Sequence, residues 1–177
     1  MRSAKQISLC AVMIALALAL SYTERLLPLQ LLIPLPGVKL GLANIVTLIA
    51  LCLLRTRYAF VILLLRCLLG AVFGGGFTGL MFSVSGGMLA LTVMALSRKA
   101  PAFSLFGVSV LGAAAHQIGQ ILAAMALMRS VYVAAYLPWL LLVSVATGLL
   151  TGCISAGVLR LLPKAAVHIP TGMDRGR

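Results

Sequence analysis

Six apolar runs, separated by short polar or basic connections, decide what this chain can fold into. They cover approximately 6–23, 39–54, 58–74, 79–97, 104–128 and 132–162. Most approach or exceed the ~20 apolar residues that an α-helix needs to cross a hydrocarbon layer. The third is short and runs into Gly74-Gly75-Gly76. The sixth is long enough to include an interfacial turn around Leu137-Pro138-Trp139. With 63% of its 177 residues hydrophobic and 9% charged, the chain carries more apolar surface than a soluble domain can hide. Inside lipid every backbone polar group must be satisfied within the chain, so the spans are expected to be helices. The expected fold is an all-α integral membrane protein with six transmembrane helices. Residues 1–165 form one substrate-binding membrane domain, and 166–177 form a polar cytoplasmic tail. No room remains for a separate soluble catalytic domain.

The basic residues fix the orientation. A net charge of +12 would suggest nucleic acid in a soluble protein, but here the bases sit between apolar runs, so no nucleic-acid partner is expected. Ten of the fourteen fall on one side if six spans leave both ends in the cytoplasm. These are Arg2, Lys5, Arg55, Arg57, Arg98, Lys99, Arg160, Lys164, Arg175 and Arg177. The implied location is the bacterial cytoplasmic (inner) membrane. The first run continues toward Leu27 without a clean small-residue exit, so it reads as a retained helix rather than a cleaved leader. Cys10, Cys52, Cys67 and Cys153 lie scattered in apolar segments with no metal-ligand or redox spacing.

The segment Glu24–Asn44 reads ERLLPLQLLIPLPGVKLGLAN. It holds one of only two acids in the chain and stiffens its path with Pro28, Pro34 and Pro36. On the charge alternation it lies at the outer face, where it reads as a lid and the rim of a binding site. Lys39 stands at the mouth of the second helix. It either snorkels to headgroups or meets an anion at a helix N-terminus, where Gly37 and Gly41 leave the backbone approachable. Asn44 lies deeper, where an unpaired amide is costly. Arg66 sits well inside the third span. It must face the bundle interior and pair with Glu24, with carbonyls or with an anionic ligand.

In the fifth span Gly112, His116 and Gln120 share a face, with Gln117 beside them. This stripe is either interhelical hydrogen bonding or a pocket lining. Ser83 and Ser85 are candidate pocket hydroxyls. Ala11, Ala15 and Ala19, spaced by four, put small side chains on one face of the first helix, which suits internal packing or docking of another membrane subunit. His116 has no histidine partner except His168 in the tail, so no metal site is expected. No Walker A motif, carboxylate pair or nucleophile–base constellation is present, so neither catalysis nor a cofactor is expected.

Pro36-Gly37-Val38-Lys39-Leu40-Gly41-Leu42-Ala43-Asn44-Ile45, together with Glu24 and the proline-rich loop, resembles the signature of the Gx transporter family. Members of that family also carry the label heptaprenyl diphosphate synthase component I. Arg66–Gly70, Ser83–Gly87 and His116–Gln120 fit the same pattern. The family in turn resembles the S components of energy-coupling-factor (ECF) transporters. That resemblance implies a six-helix subunit that binds a vitamin-like solute near the outer face, beneath the loop between helices 1 and 2. It also implies that Ala11, Ala15 and Ala19 dock on a transmembrane T component, powered by two ATPase subunits. The expected solute-binding residues are Glu24, Lys39, Asn44, Arg66, Ser83, Ser85, His116, Gln117 and Gln120, and the small solute is expected to be anionic or polar. The alternative is an accessory membrane subunit of polyprenyl diphosphate or quinone synthesis. Prenyl transfer by this chain alone is not expected, since such synthases hold Mg²⁺ on paired aspartate-rich motifs and the single aspartate here is Asp174.

Overall fold

The computed structural model describes residues 2–26 and 39–162. The prolines of the loop after α1 and the polar tail lie outside the described residues. The order is α1 (Arg2–Leu26), α2 (Asn44–Leu53), α3 (Thr56–Gly70), a π-helical turn (Ala71–Gly75), α4 (Gly76–Ser97), α5 (Leu105–Met128), a 3-10 turn (Val131–Tyr136) and α6 (Leu137–Leu161). The chain is helical throughout these elements. Four stretches are long and apolar enough to cross a membrane: Gln6–Glu24, Thr56–Ser97, Leu105–Met128 and Val131–Leu161.

The Thr56–Ser97 stretch is a hairpin. Its helical path breaks at Phe73 and Gly74, where Gly74 has φ 99° and Gly76 φ 58°, conformations that favour glycine. Beyond the break α4 returns along α3, so that Gly87 stands against Leu63 and Arg66. The glycine run that shortens the third apolar segment is therefore the corner of this hairpin.

α2 is the centre of the bundle. Its residues Asn44 to Cys52 are all buried, as expected for a helix apolar on every side. Leu48, Leu51 and Ala50 pack with Met13 and Ala17 of α1, Ile62 of α3, Met94 of α4 and Val108 of α5. Large apolar side chains such as Leu16, Phe60, Leu65, Leu122 and Leu142 face outward. In water such a surface would be an aggregation site; in lipid it is solvated.

Two boundaries differ from the sequence expectation. The second apolar run was expected to be helical from 39, but α2 starts at Asn44. Gly41 has φ 87°, and the backbone of Lys39 is bonded to side chains of α5, so the helix cannot extend backward through them. With ten residues α2 is only about 15 Å long, roughly half a hydrocarbon layer. The turn expected around Pro138 lies earlier, in Val131–Tyr136, and Pro138 sits in the first turn of α6. A proline is tolerated there because its missing N–H has no intrahelical acceptor.

Small residues set the helix separations on the far side of the core. A Cβ on Gly119 of α5 would lie 2.6 Å from the Ser85 carbonyl oxygen and 2.8 Å from Gly86 Cα, so the backbones of α4 and α5 nearly touch. Gly148 of α6 packs on Val110 in the same way, and the buried Ser109 hydroxyl donates to the Gly148 carbonyl at 2.7 Å. Close approach through small residues gives lipid-embedded helices their van der Waals contact.

Candidate polar site at one end of the bundle

One group of buried polar side chains gathers at the end of the bundle opposite Arg55, Arg57, Arg98 and Lys99; Ser97, Ser109, Thr151 and Ser155 are buried elsewhere. The end of α1, the start of α2, the second half of α3, the first half of α4 and the middle of α5 meet there. Each helix contributes a residue whose apolar neighbours keep it in place.

Lys39 is the hub. Its backbone N–H donates to Gln120 Oε1 at 3.0 Å, and its carbonyl accepts from Gln117 Nε2 at 3.2 Å. Its ammonium donates to Ser83 Oγ at 2.6 Å. One residue before α2 is thus fastened to both α4 and α5. Gln120 Nε2 in turn bonds His116 Nε2 at 2.7 Å. An amide nitrogen only donates, so His116 Nε2 accepts and the neutral ring carries its proton on Nδ1.

Two glycines clasp that imidazole. A Cβ on Gly41 would lie 2.9 Å from His116 Cδ2 and 2.9 Å from Asn44 Nδ2. A Cβ on Gly86 would lie 2.9 Å from His116 Nδ1. Gly87, the next residue, leaves room for Arg66, whose Nη2 would stand 3.3 Å from a Cβ there.

Glu24 and Arg66 sit beside this group without a direct bond to each other. Glu24, 3% exposed, accepts the Leu42 N–H through Oε1 at 2.6 Å. It thereby satisfies a donor in the turn that begins α2. Arg66, 5% exposed, donates from Nη1 to Ser21 Oγ at 3.3 Å. Its Nε and Nη2 have no hydrogen-bond partner, nor do Asn44 Nδ2, Asn44 Oδ1 and Gln117 Oε1. All are buried. Each such group costs about 1–3 kcal/mol if left unmade, and native proteins seldom leave several together.

Eight of the nine expected residues therefore meet in one polar neighbourhood. Ser85 lies apart: its hydroxyl donates to the Met81 and Phe82 carbonyls of its own helix. It borders a shallow outer groove with Met88, Thr92 and Leu122. Ser21 was not singled out in the sequence, and Gly86 and Gly87 were named there only as the end of the Ser83–Gly87 stretch. Ser21 carried a usable signal, since it precedes Glu24 by three residues and so shares its helix face.

The arrangement is one of amides, hydroxyls, two cations and one carboxylate. Such groups are the donors and acceptors that a polar solute would need. Among the described residues no three His, Cys, Asp or Glu side chains come together.

Ala11, Ala15 and Ala19 of α1 are all exposed, while Ala17 on the opposite face is fully buried. Ala15 and Ala19 border an apolar groove of about 450 Å³ that runs between α1 and the end of α3, with Tyr22, Gly70 and Phe73.

A model of one protein family, described as heptaprenyl diphosphate synthase component I, matches residues 13–158. No curated protein and no solved structure matches the chain.

Proposed function

The chain belongs to the heptaprenyl diphosphate synthase component I family, and we propose that it is a solute-binding membrane subunit, the S component of an ECF-type importer. The observation that carries this reading is that Asn44, Arg66 and Gln117 bring five unpartnered buried polar atoms into one cluster, whereas elsewhere in the bundle only Arg98 Nη1 and Ser155 Oγ are left so among the described residues. A purely structural polar cluster would close on itself; an open one is what a polar ligand completes. The solute is small, anionic or polar, and vitamin- or cofactor-like. It reaches Lys39, Asn44, Arg66, Ser83, His116, Gln117 and Gln120 from the outer face, with Glu24 holding the start of α2 in place.

In this reading the α3–α4 hairpin counts as two crossings and the short α2, with the residues leading into it, makes the sixth, so both termini are cytoplasmic in a bacterial inner membrane. The exposed Ala11-Ala15-Ala19 face receives a transmembrane T component, and two ATPase subunits supply the energy. The chain itself is not an enzyme and uses no cofactor.

The family's description favours a second reading, an accessory membrane subunit for polyprenyl diphosphate or quinone synthesis. Affinity purification in mild detergent separates the two. Recovery with a membrane T component and two ATPases is the expected result. Recovery with a soluble prenyl synthase instead would replace the importer reading by the second. The site makes its own prediction. Ser83→Ala, which removes the acceptor of the Lys39 ammonium, is expected to lower retention of the co-purifying solute about two- to tenfold. Ser85→Ala is expected to leave it unchanged. Mass spectrometry of the released solute reads both, and equal losses would disconnect the Lys39 cluster from binding.

A further inference from the structure

We infer that the solute presents a single carboxylate to the Nε–Nη2 edge of Arg66, next to a neutral amide-like or heteroaromatic group read by Asn44. This rests on the solute-binding reading above and goes on to name the chemistry of the solute.

The guanidinium is held by one edge and open on another. Nη1 donates to Ser21, whereas Nε and Nη2 have no partner. Nε and Nη2 are the two parallel donors of a side-on fork, the geometry that matches two oxygens of one carboxylate or phosphate. Gly87 keeps the space beside Nη2 clear, since a Cβ there would already stand 3.3 Å away. Among the described residues no acid supplies those oxygens: Glu24 accepts the Leu42 N–H instead.

Charge balance chooses between the two anions. Arg66 carries one positive charge, and among the described residues no carboxylate is bonded to it. In a medium of low dielectric a net charge is expensive, and one negative charge removes it. A dianionic phosphate would reverse the sign and restore the cost. Asn44 then defines the neutral part. Its amide nitrogen and oxygen are both buried and open, so the complementary group offers a donor and an acceptor side by side.

The test uses the full chain purified from membranes in mild detergent, with its bound solute released by denaturation and identified by mass spectrometry. The expected result is a solute enriched on wild type that carries one carboxylate and no phosphate. Its occupancy should fall at least about thirtyfold in Arg66→Gln. Arg66→Lys should recover only part of it, because an ammonium is a point charge without the fork. The methyl ester of the recovered solute should not compete with the parent acid for the wild-type protein. An enriched solute that is a phosphate ester, a dianion or neutral overturns the carboxylate assignment and leaves the binding-subunit reading intact. So does an acid whose methyl ester competes equally well. Both outcomes are read on wild type, so they hold even if the Arg66 variants fail to fold. No enriched solute on wild type overturns the underlying reading as well.

Discussion

Gly41→Val is expected to lower the stability of the purified protein by roughly 2–6 kcal/mol and to abolish retention of its solute. Two independent terms add. At φ 87° the backbone occupies the left-handed region, which a β-branched residue adopts only under strain. The first side-chain carbon would also lie 2.9 Å from both Asn44 Nδ2 and His116 Cδ2, so even alanine forces the neighbours apart. Relief comes only by shifting the imidazole, which is bonded to Gln120, or by moving the start of α2. Either shift opens the Lys39 cluster. Thermal unfolding in detergent and solute occupancy should fall together, with Gly41→Ala between wild type and valine. A valine variant that melts with wild type and keeps its solute would show that Gly41 does not position His116.

Gly119→Val is expected to have a comparable effect from the other side of the site. The atoms it would strike, the Ser85 carbonyl and Gly86 Cα, belong to a helix backbone and cannot rotate away. Overpacking of this kind costs about 1–3 kcal/mol or more, and the only release is to separate α4 from α5. Separation draws His116, Gln117 and Gln120 away from Lys39 and Ser83, so binding should suffer beyond the loss of stability. Gly112→Ala is the contrast. Its added carbon would overlap the Met94 side chain at Cε and lie 2.6 Å from its Cγ, and a buried thioether chain yields more readily than a helix backbone. The expected order of melting temperature is wild type, then Gly112→Ala, then Gly119→Ala, then Gly119→Val. Equal losses for the two alanine variants would mean that the α4–α5 seam yields as easily as a methionine.

The helices were legible because lipid leaves an apolar run of this length no other way to satisfy its backbone. The hairpin corner was legible as a glycine run, although its meaning as a turn needed the positive φ of Gly74 and Gly76. The late start of α2 was not legible. Hydropathy marks 39–43 as apolar, but the backbone of Lys39 is held by Gln117 and Gln120, contacts separated by 78 and 81 residues. The two readings of Lys39, a snorkelling charge or an anion contact, both left out its peptide group, which is bonded to Gln117 and Gln120. Ser83 and Ser85 looked equivalent in the sequence. Residues two apart on a helix point to different sides, and only Ser83 meets the cluster. Gly86 and Gly87 entered the sequence reading only as the end of the Ser83–Gly87 stretch, and their role is the space they leave.

The grip of Gln117 and Gln120 on one peptide has a mechanical consequence. The two amides stand three residues apart on α5, one taking the N–H of Lys39 and the other giving to its C=O. Because both prongs belong to the same helix face, a small roll of α5 about its axis strains the two bonds together. That gives α5 the character of a camshaft: torque on this helix reaches the threshold of α2 as a single catch, held or released in one stroke.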